Sequence, residues 1–151
     1  MAIWKTKPEL DLLNQRHAGT MAKTVGIEFT ETGDDSLQAR MPVDDRTKQP
    51  LGLLHGGATA TLAETLGSVA SMLCINLKEF NCVGLELNVN HLKSAREGYV
   101  TGRVTPIRIG RTIHVWDIRV TNEEGELTAV SRLTVAVVPV RDSARPSSGR
   151  V

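Results

Sequence analysis

A chain of 151 residues fits one domain and is long enough to bury a sizeable core. Apolar residues make up 40% of it and charged residues 23%, which is the ordinary composition of a soluble protein. The formal net charge of +1 gives no reason to expect nucleic acid or an anionic membrane surface as a partner.

The first residues, MAIWKTKPELD, contain no apolar run of the kind found in secretory signals. The two cysteines, Cys74 and Cys82, lack metal-ligand spacing and are too few for a disulfide scaffold. We therefore expect a reduced, cytoplasmic protein. The 4 histidines show no metal-ligand spacing either, so no metal site is expected.

The first part of the chain reads as a short helix followed by a hairpin. Residues 8–24 are predicted to be helical, with a proline suited to the first turn and apolar residues at helical spacing. Residues 26–31 and 37–41 alternate apolar and polar side chains on either side of the turn Gly-Asp-Asp. The charged stretch VDDRTKQPLG that follows is predicted to be a loop.

Residues 58–77 are a long apolar segment in which Glu64 is the single charged residue. The apolar residues lie all round a helical wheel, so the pattern predicts a helix that is buried on every side. Glu64 and the interspersed serines and threonines argue against a membrane span, and no membrane partner is expected.

Four strand-like runs complete the domain, over residues 81–93, 99–108, 112–121 and 127–140. Their connections are short, which predicts that consecutive strands are antiparallel neighbours. We expect an α+β fold, with an antiparallel sheet of about five or six strands wrapped around one long central helix. Residues 1–140 are predicted to form this single domain, and the Ser-, Pro- and Arg-rich residues 141–151 a flexible tail.

Two features of the long helix could carry chemistry. A carboxylate inside an apolar segment is unfavourable unless it has partners or a task, and Ser68 lies on the same helix face as Glu64. A structural contact would be served equally well by glutamine without burying a charge. At the helix start, the run His55-Gly56-Gly57 leaves unpaired N–H groups that can stabilise an oxyanion.

Gly56 and Glu64 are too far apart to meet one reacting atom within one chain. Their 8-residue separation corresponds to roughly 12 Å along a helix axis. A site that needs both groups would join the helix start of one subunit to Glu64 of another. A two-fold dimer would then contain two equivalent sites.

The runs TKQPLGLLHGGATATLAETLGS, VGLELNVNHLKSAREG, RIGRTIHVW and SRLTVAV resemble the hotdog-fold acyl-CoA thioesterases. Within them, the chain is most similar to the aromatic acyl-CoA branch, which includes 1,4-dihydroxy-2-naphthoyl-CoA and 4-hydroxybenzoyl-CoA thioesterases and the enterobactin proofreading enzyme. The resemblance implies the hotdog fold, a homodimer with shared active sites and a dimer of dimers. It implies hydrolysis of an acyl-CoA thioester to the free acid and CoA, without a cofactor.

The resemblance also implies roles for particular residues. Glu64 matches the catalytic nucleophile or general base, and Gly56 the N–H donor to the thioester carbonyl. Gln49, His55 and Ser68 match residues that orient the substrate or water. The implied substrate- and CoA-binding residues are Gly57, Gly84, His91, Leu92, Lys93, Ser94, Arg108, Ile109, Gly110, Arg111, Thr112 and Ile113.

Several alternatives stay open at the level of sequence. The acyl group could instead be phenylacetyl or medium-chain, and the carrier a protein rather than CoA, since both carriers share the phosphopantetheine arm. A non-catalytic acyl-CoA-binding module would lack a carboxylate at position 64. A hotdog dehydratase acting on acyl-carrier protein would arrange its histidine and carboxylate differently.

Overall fold

The computed structural model describes residues 1–140, and the predicted tail over residues 141–151 lies outside them. Two short helices, α1 (Leu10–Arg16) and α2 (Met21–Thr24), precede a hairpin of β1 (Glu28–Thr32) and β2 (Leu37–Pro42). The long helix α3 (Gly56–Leu73) follows. The remaining strands are β3 (Phe80–His91), β4 (Tyr99–Ile109), β5 (Ile113–Thr121) and β6 (Leu127–Pro139).

All six strands belong to one antiparallel sheet in the order β1-β2-β4-β5-β6-β3. The helix α3 packs against five of them, β2 to β6, so the sheet wraps around it. The α+β fold class and the wrapped central helix are therefore confirmed. No helix within residues 1–140 has both the length and the hydropathy of a membrane span.

Close contact between α3 and the sheet depends on two glycines. A Cβ on Gly67 would lie 2.5 Å from Leu133 Cδ2, and one on Gly102 would lie 2.6 Å from Leu66 Cδ1. Further along α3, the buried Trp116 donates its indole N–H to Ser71 Oγ over 2.7 Å. This bond satisfies both polar groups in the core and fixes α3 on β5.

The single helix predicted over residues 8–24 is wrong, because the structure breaks it in two. α1 ends at Arg16, with His17 as its C-cap, and α2 begins only at Met21. Between them Gly19 has a φ of 73°, a left-handed conformation that stops an α-helix. The break turns the chain so that α1 packs against β1 and α2 against α3.

The predicted pairing of β3 with β4 is also wrong. β3 pairs with β6 at one edge of the sheet, and β4 lies between β2 and β5. The connection over residues 92–98 passes the end of the β5–β6 hairpin; at roughly 3.4 Å per residue it is long enough to cross strands spaced about 4.8 Å apart. The short connection between β3 and β4 therefore does not make these two strands neighbours in the sheet.

The expectation that α3 is buried on every side is wrong for the single chain. Residues such as Leu62, Leu66 and Ala70 are fully buried against the sheet. The opposite stripe is only half-buried; it comprises Ala60, Thr61, Glu64, Thr65, Ser68 and Met72. We call these residues the open stripe of α3. Glu64 thus lies on a surface that one chain leaves partly uncovered.

Candidate active site

The start of α3 is organised by His55. It is the N-cap residue, and its Nδ1 accepts a hydrogen bond of 2.8 Å from the Gly57 N–H. A neutral imidazole that accepts through Nδ1 carries its proton on Nε2. The exposed His55 therefore presents a donor away from the helix start, while the Gly57 N–H is already occupied.

The Gly56 N–H has no hydrogen-bond acceptor among residues 1–140. It is the first N–H of α3, where the helix dipole places partial positive charge. A Cβ on Gly56 would lie 2.8 Å from Nε2 of His91, so glycine leaves room for that imidazole. This N–H is free to donate to a polarised carbonyl oxygen.

A cavity of about 310 Å³ opens at this end of the helix, which we call the α3-start cavity. Its walls include Gly56 and Thr59, together with four of the predicted CoA-binding residues: His91, Leu92, Lys93 and Ser94. Lys93 is already paired with Glu126 at 2.5 Å, so a phosphate could engage it only by competing with that carboxylate.

Glu64 projects from the open stripe with few partners. Ser68 donates a long hydrogen bond of 3.4 Å to Glu64 Oε1, and none of the ion pairs within residues 1–140 involves Glu64. Opposite it, a Cβ on Gly84 would lie 2.5 Å from Oε1. The pairing of β3 with β6 is irregular between Gly84 and Glu86, a distortion often found beside active sites. A glycine here makes room for the carboxylate.

Replacing Gly84 by alanine should therefore displace the Glu64 carboxylate without unfolding the protein, since the colliding atom ends a flexible side chain. We expect kcat to fall roughly 10- to 100-fold, because small misplacements of a reacting group have effects of this size. Steady-state kinetics and thermal unfolding would measure the two effects.

Gly33→Ala is the matched control for Gly84→Ala. A Cβ on Gly33 would also meet a side-chain oxygen, Ser36 Oγ at 2.7 Å, but in the β1–β2 turn. Its kcat should equal that of the unmodified protein. A fully active, folded Gly84→Ala variant would contradict the proposed position of the carboxylate.

Two cavities lie on the open stripe beside Glu64. The larger, about 450 Å³, lies between α1, α2 and α3, and we call it the Glu64 cavity. The smaller, about 330 Å³, lies on the other side of Glu64, towards Leu87 of β3. Glu64 lines both cavities, and Gly56 lines neither.

The loop before α3 places Gln49 near the helix start. The Gln49 side-chain carbonyl accepts a hydrogen bond from the Leu51 N–H, and the His55 N–H donates to the Thr47 carbonyl over 2.8 Å. The structure thus places the backbone of this loop beside His55 and Gly56, while the Gln49 amide oxygen is bonded within the loop itself. Glu64, Ser68 and Gly84 form a second group further along α3.

The predicted CoA-binding residues are likewise divided between the two ends of the sheet. His91 ends β3 and pairs with Ala129, close to the α3 start. The turn over residues 108–113 lies at the far end of the sheet, since Ile113 pairs with Ala136 and Ala136 with Val83. This turn contains the other predicted residues, Arg108, Ile109, Gly110, Arg111, Thr112 and Ile113. The span from Val83 to His91 corresponds to roughly 26 Å of strand. One chain therefore does not bring these two groups together.

Sequence reasoning missed the wall that α1 and α2 contribute to the Glu64 cavity. Leu13, Arg16, His17 and Met21 line it opposite Glu64. Burial, together with the Arg16 charge, lowers the pKa of His17, so this imidazole is neutral at pH 7. The sequence predicts one continuous helix here, and within such a helix these residues are ordinary surface and core positions.

A thiol nucleophile is not supported by the two cysteines. Burial raises the pKa of Cys74 to about 12 and that of Cys82 to about 11, so both are protonated thiols at neutral pH. Among residues 1–140, no group of His, Cys, Asp and Glu side chains is arranged to hold a metal ion. The chemistry available at the site is that of a carboxylate, hydroxyls, imidazoles and backbone N–H groups.

Comparison with known proteins gives consistent matches. The model of the thioesterase superfamily matches residues 51–129. The 1,4-dihydroxy-2-naphthoyl-CoA hydrolase of Escherichia coli K12 is 51% identical over 136 residues, which cover 90% of this chain and 99% of the relative. The proofreading thioesterase EntH of Cronobacter turicensis is 45% identical over 137 residues, covering 90% and 98%. A solved structure, a glutamine-to-alanine mutant of thioesterase PA1618 from Pseudomonas aeruginosa, has a TM-score of 0.91 at 48% identity, covering 92% of this chain and 100% of that one.

Proposed function

The chain belongs to the thioesterase superfamily and is a thioester hydrolase, and we propose that its substrates are aromatic acyl-CoA thioesters. Hydrolysis breaks the C–S bond, adds the oxygen of water to the acyl carbon, and releases the free acid and CoA thiol. The relative named as a dihydroxynaphthoyl-CoA hydrolase supports an aromatic acyl group.

The observation that carries this proposal is the position of Glu64 on the open stripe. Its carboxylate faces two cavities, has one long hydrogen bond and is accommodated by the glycine opposite it. A carboxylate so placed can attack the thioester carbon or remove a proton from the attacking water. The neighbouring Ser68 hydroxyl holds the carboxylate or that water.

The groups at the α3 start act on the carbonyl oxygen and the carrier. The free Gly56 N–H donates to the oxyanion that develops as the carbonyl is attacked. His55 precedes it in the chain, Gln49 lies in the adjoining loop, and both orient the thioester. The phosphopantetheine arm of CoA runs through the α3-start cavity past Gly56 and residues 91–94.

We further propose that a complete site forms between two copies of the chain, because Gly56 and Glu64 line separate cavities. The edge strand β3 supports such pairing: Val83 and Leu85 are 50% and 59% exposed on it. A long apolar edge is a pairing surface unless it is covered. The partner would bring the turn over residues 108–113 to the end of the sheet that holds His91, and two dimers would associate further.

Mixing two inactive variants tests the shared site. Glu64→Gln removes the carboxylate and Gly56→Pro removes the N–H, so a hybrid dimer of the two has one site with both groups intact. Co-expression with random pairing should restore about one quarter of the unmodified activity, since half the dimers are hybrids with one working site.

Each variant expressed alone is the control for this mixing experiment, and its homodimer should stay inactive. If the mixture also stays inactive while light scattering confirms dimers, both groups act within one chain and the shared site is wrong. Scattering should report a dimer or a dimer of dimers, never a monomer, for the active protein.

The substrate class is tested by thiol release from a panel of CoA thioesters. We expect kcat/KM for benzoyl- and naphthoyl-CoA to exceed that for phenylacetyl- and medium-chain acyl-CoA by at least about tenfold, because a rigid ring orders fewer bonds when it binds. A medium-chain preference would replace the aromatic assignment. Release from no thioester would favour a binding module.

We also propose that the enzyme works in the cytoplasm. This rests on its free cysteines, Cys74 and Cys82, which remain unpaired in the structure, since disulfides persist mainly in oxidising compartments.

A further inference from the structure

The Glu64 cavity has walls of two kinds. Its sides are apolar and include Leu13, Met21, Val69 and Met72. Two flexible thioethers suit a flat aromatic ring, with which sulfur makes favourable contacts. The volume of about 450 Å³ lies in the lower half of the range found for small-molecule sites. The cavity therefore fits a compact, ring-shaped acyl group next to Glu64.

The polar groups of this cavity come from two parts of the chain. Glu64, Thr65 and Ser68 belong to α3, whereas Arg16, His17 and Thr20 belong to the end of α1 and the residues that follow it. The two threonine hydroxyls already donate to backbone carbonyls, those of His17 and Thr61. An acyl group whose thioester carbon is at Glu64 extends away from α3, towards α1. An unsubstituted ring would leave the α1 groups without a partner inside the cavity.

His17 is held in place and available. Its imidazole stacks on Phe29 with ring centroids 5.5 Å apart and an angle of 13° between the planes. The hydrogen bonds that it makes within residues 1–140 come from its backbone. None of the ion pairs within those residues involves Arg16. The cavity thus has a fixed imidazole and an uncommitted guanidinium at one wall.

Resting on the thioesterase function above, we propose that His17 and Arg16 determine specificity by binding a hydroxyl group on the acyl ring, remote from the thioester. A hydroxyl both donates and accepts, which matches the acceptor nitrogen of a neutral imidazole and the donors of a guanidinium. The residues are not catalytic, since they lie across the cavity from Glu64. They select the ring that Glu64 acts on.

The test compares kcat/KM for 3- and 4-hydroxybenzoyl-CoA with that for benzoyl-CoA. The unmodified enzyme should favour one hydroxylated substrate about tenfold, the size of effect of a hydrogen bond left unmade. His17→Phe, which keeps a ring on Phe29, and Arg16→Met should each reduce this ratio to near one. The loss should appear mainly in KM, because the carbonyl chemistry is unchanged.

Gln15→Ala is the matched control, since Gln15 lies on α1 but does not line the cavity. Its ratio should equal that of the unmodified enzyme. The proposal is overturned if the unmodified enzyme does not favour either hydroxylated ring, if both cavity variants keep the ratio, or if 4-carboxybenzoyl-CoA is favoured over both.

A binding measurement separates this proposal from the thioesterase function. Titration calorimetry on the Glu64→Gln protein should give tighter binding of the favoured hydroxybenzoyl-CoA than of benzoyl-CoA, by about tenfold. Adding His17→Phe should remove that difference. If the protein releases no thiol but still binds the hydroxybenzoyl-CoA more tightly, the hydrolase function is refuted and the role of His17 is supported. If the two CoA thioesters bind equally, or neither binds, the role of His17 is refuted.

Discussion

Glu64→Gln is expected to lower kcat for thioester hydrolysis roughly 10³-fold, because both possible mechanisms need the carboxylate. Glutamine has the same shape and can still accept from Ser68, which now hydrogen-bonds Oε1 at 3.4 Å. The fold should persist, and the melting temperature should be unchanged or higher, since the variant no longer places a weakly partnered charge on a half-buried stripe. Thiol release and thermal unfolding measure the two quantities.

Glu31→Gln is the matched control for Glu64→Gln, because it removes the same charge from the exposed surface of β1. It should hydrolyse at the unmodified rate. A Glu64→Gln protein that is folded and fully active would refute the catalytic role of Glu64.

Single-turnover hydrolysis in labelled water then distinguishes the two mechanisms. If Glu64 attacks the thioester, an anhydride forms, and water that opens it can leave its label in the Glu64 carboxylate. If Glu64 acts as a general base, the label enters the acid product alone. Mass spectrometry of the peptide that contains Glu64 reads the result.

Gly56→Pro is expected to lower kcat roughly 10²- to 10³-fold, the effect of removing one oxyanion donor. Proline removes the N–H while suiting the first position of a helix. The preceding residue is already compatible, since His55 has a ψ of 131° in the extended region. The helix should therefore form normally, as circular dichroism would check.

Gly56→Ala separates the missing N–H from the added carbon. In both variants a Cβ meets His91, whose Nε2 would lie 2.8 Å away, but alanine keeps the donor. Alanine should therefore retain most of the kcat that proline removes. Equal losses in the two variants would show that contact with His91, and not the N–H, limits the reaction.

Local sequence patterns predicted most elements of this fold. The sequence predicts β5 over residues 112–121, and the structure has it at Ile113–Thr121; it predicts β6 over residues 127–140, and the structure has it at Leu127–Pro139. Both are runs rich in β-branched residues bounded by turn residues, and such signals act within a few positions. The same local chemistry singled out Glu64, as a lone charge, and the glycines before it.

The arrangement of these elements was not local and was predicted less well. The order β1-β2-β4-β5-β6-β3 depends on which strand edges remain free for pairing. The length of a connection does not reveal which edges these are. The break at Gly19 depends on how α1 packs against β1 and α2 against α3. The predicted helix runs through residues 17–20, but these residues are not helical in the structure.

The reactive groups of this protein can be read from its amino-acid sequence: a helix that carries Glu64 and begins with His55 and Gly56. A charge in an apolar helix and unpaired N–H groups at its start follow from residue type and position alone. What faces those groups depends on the packing of distant parts of the chain. Gly84 lies against Glu64, and His17 lines the cavity beside it, because strand pairing and helix packing join residues that are far apart in the chain.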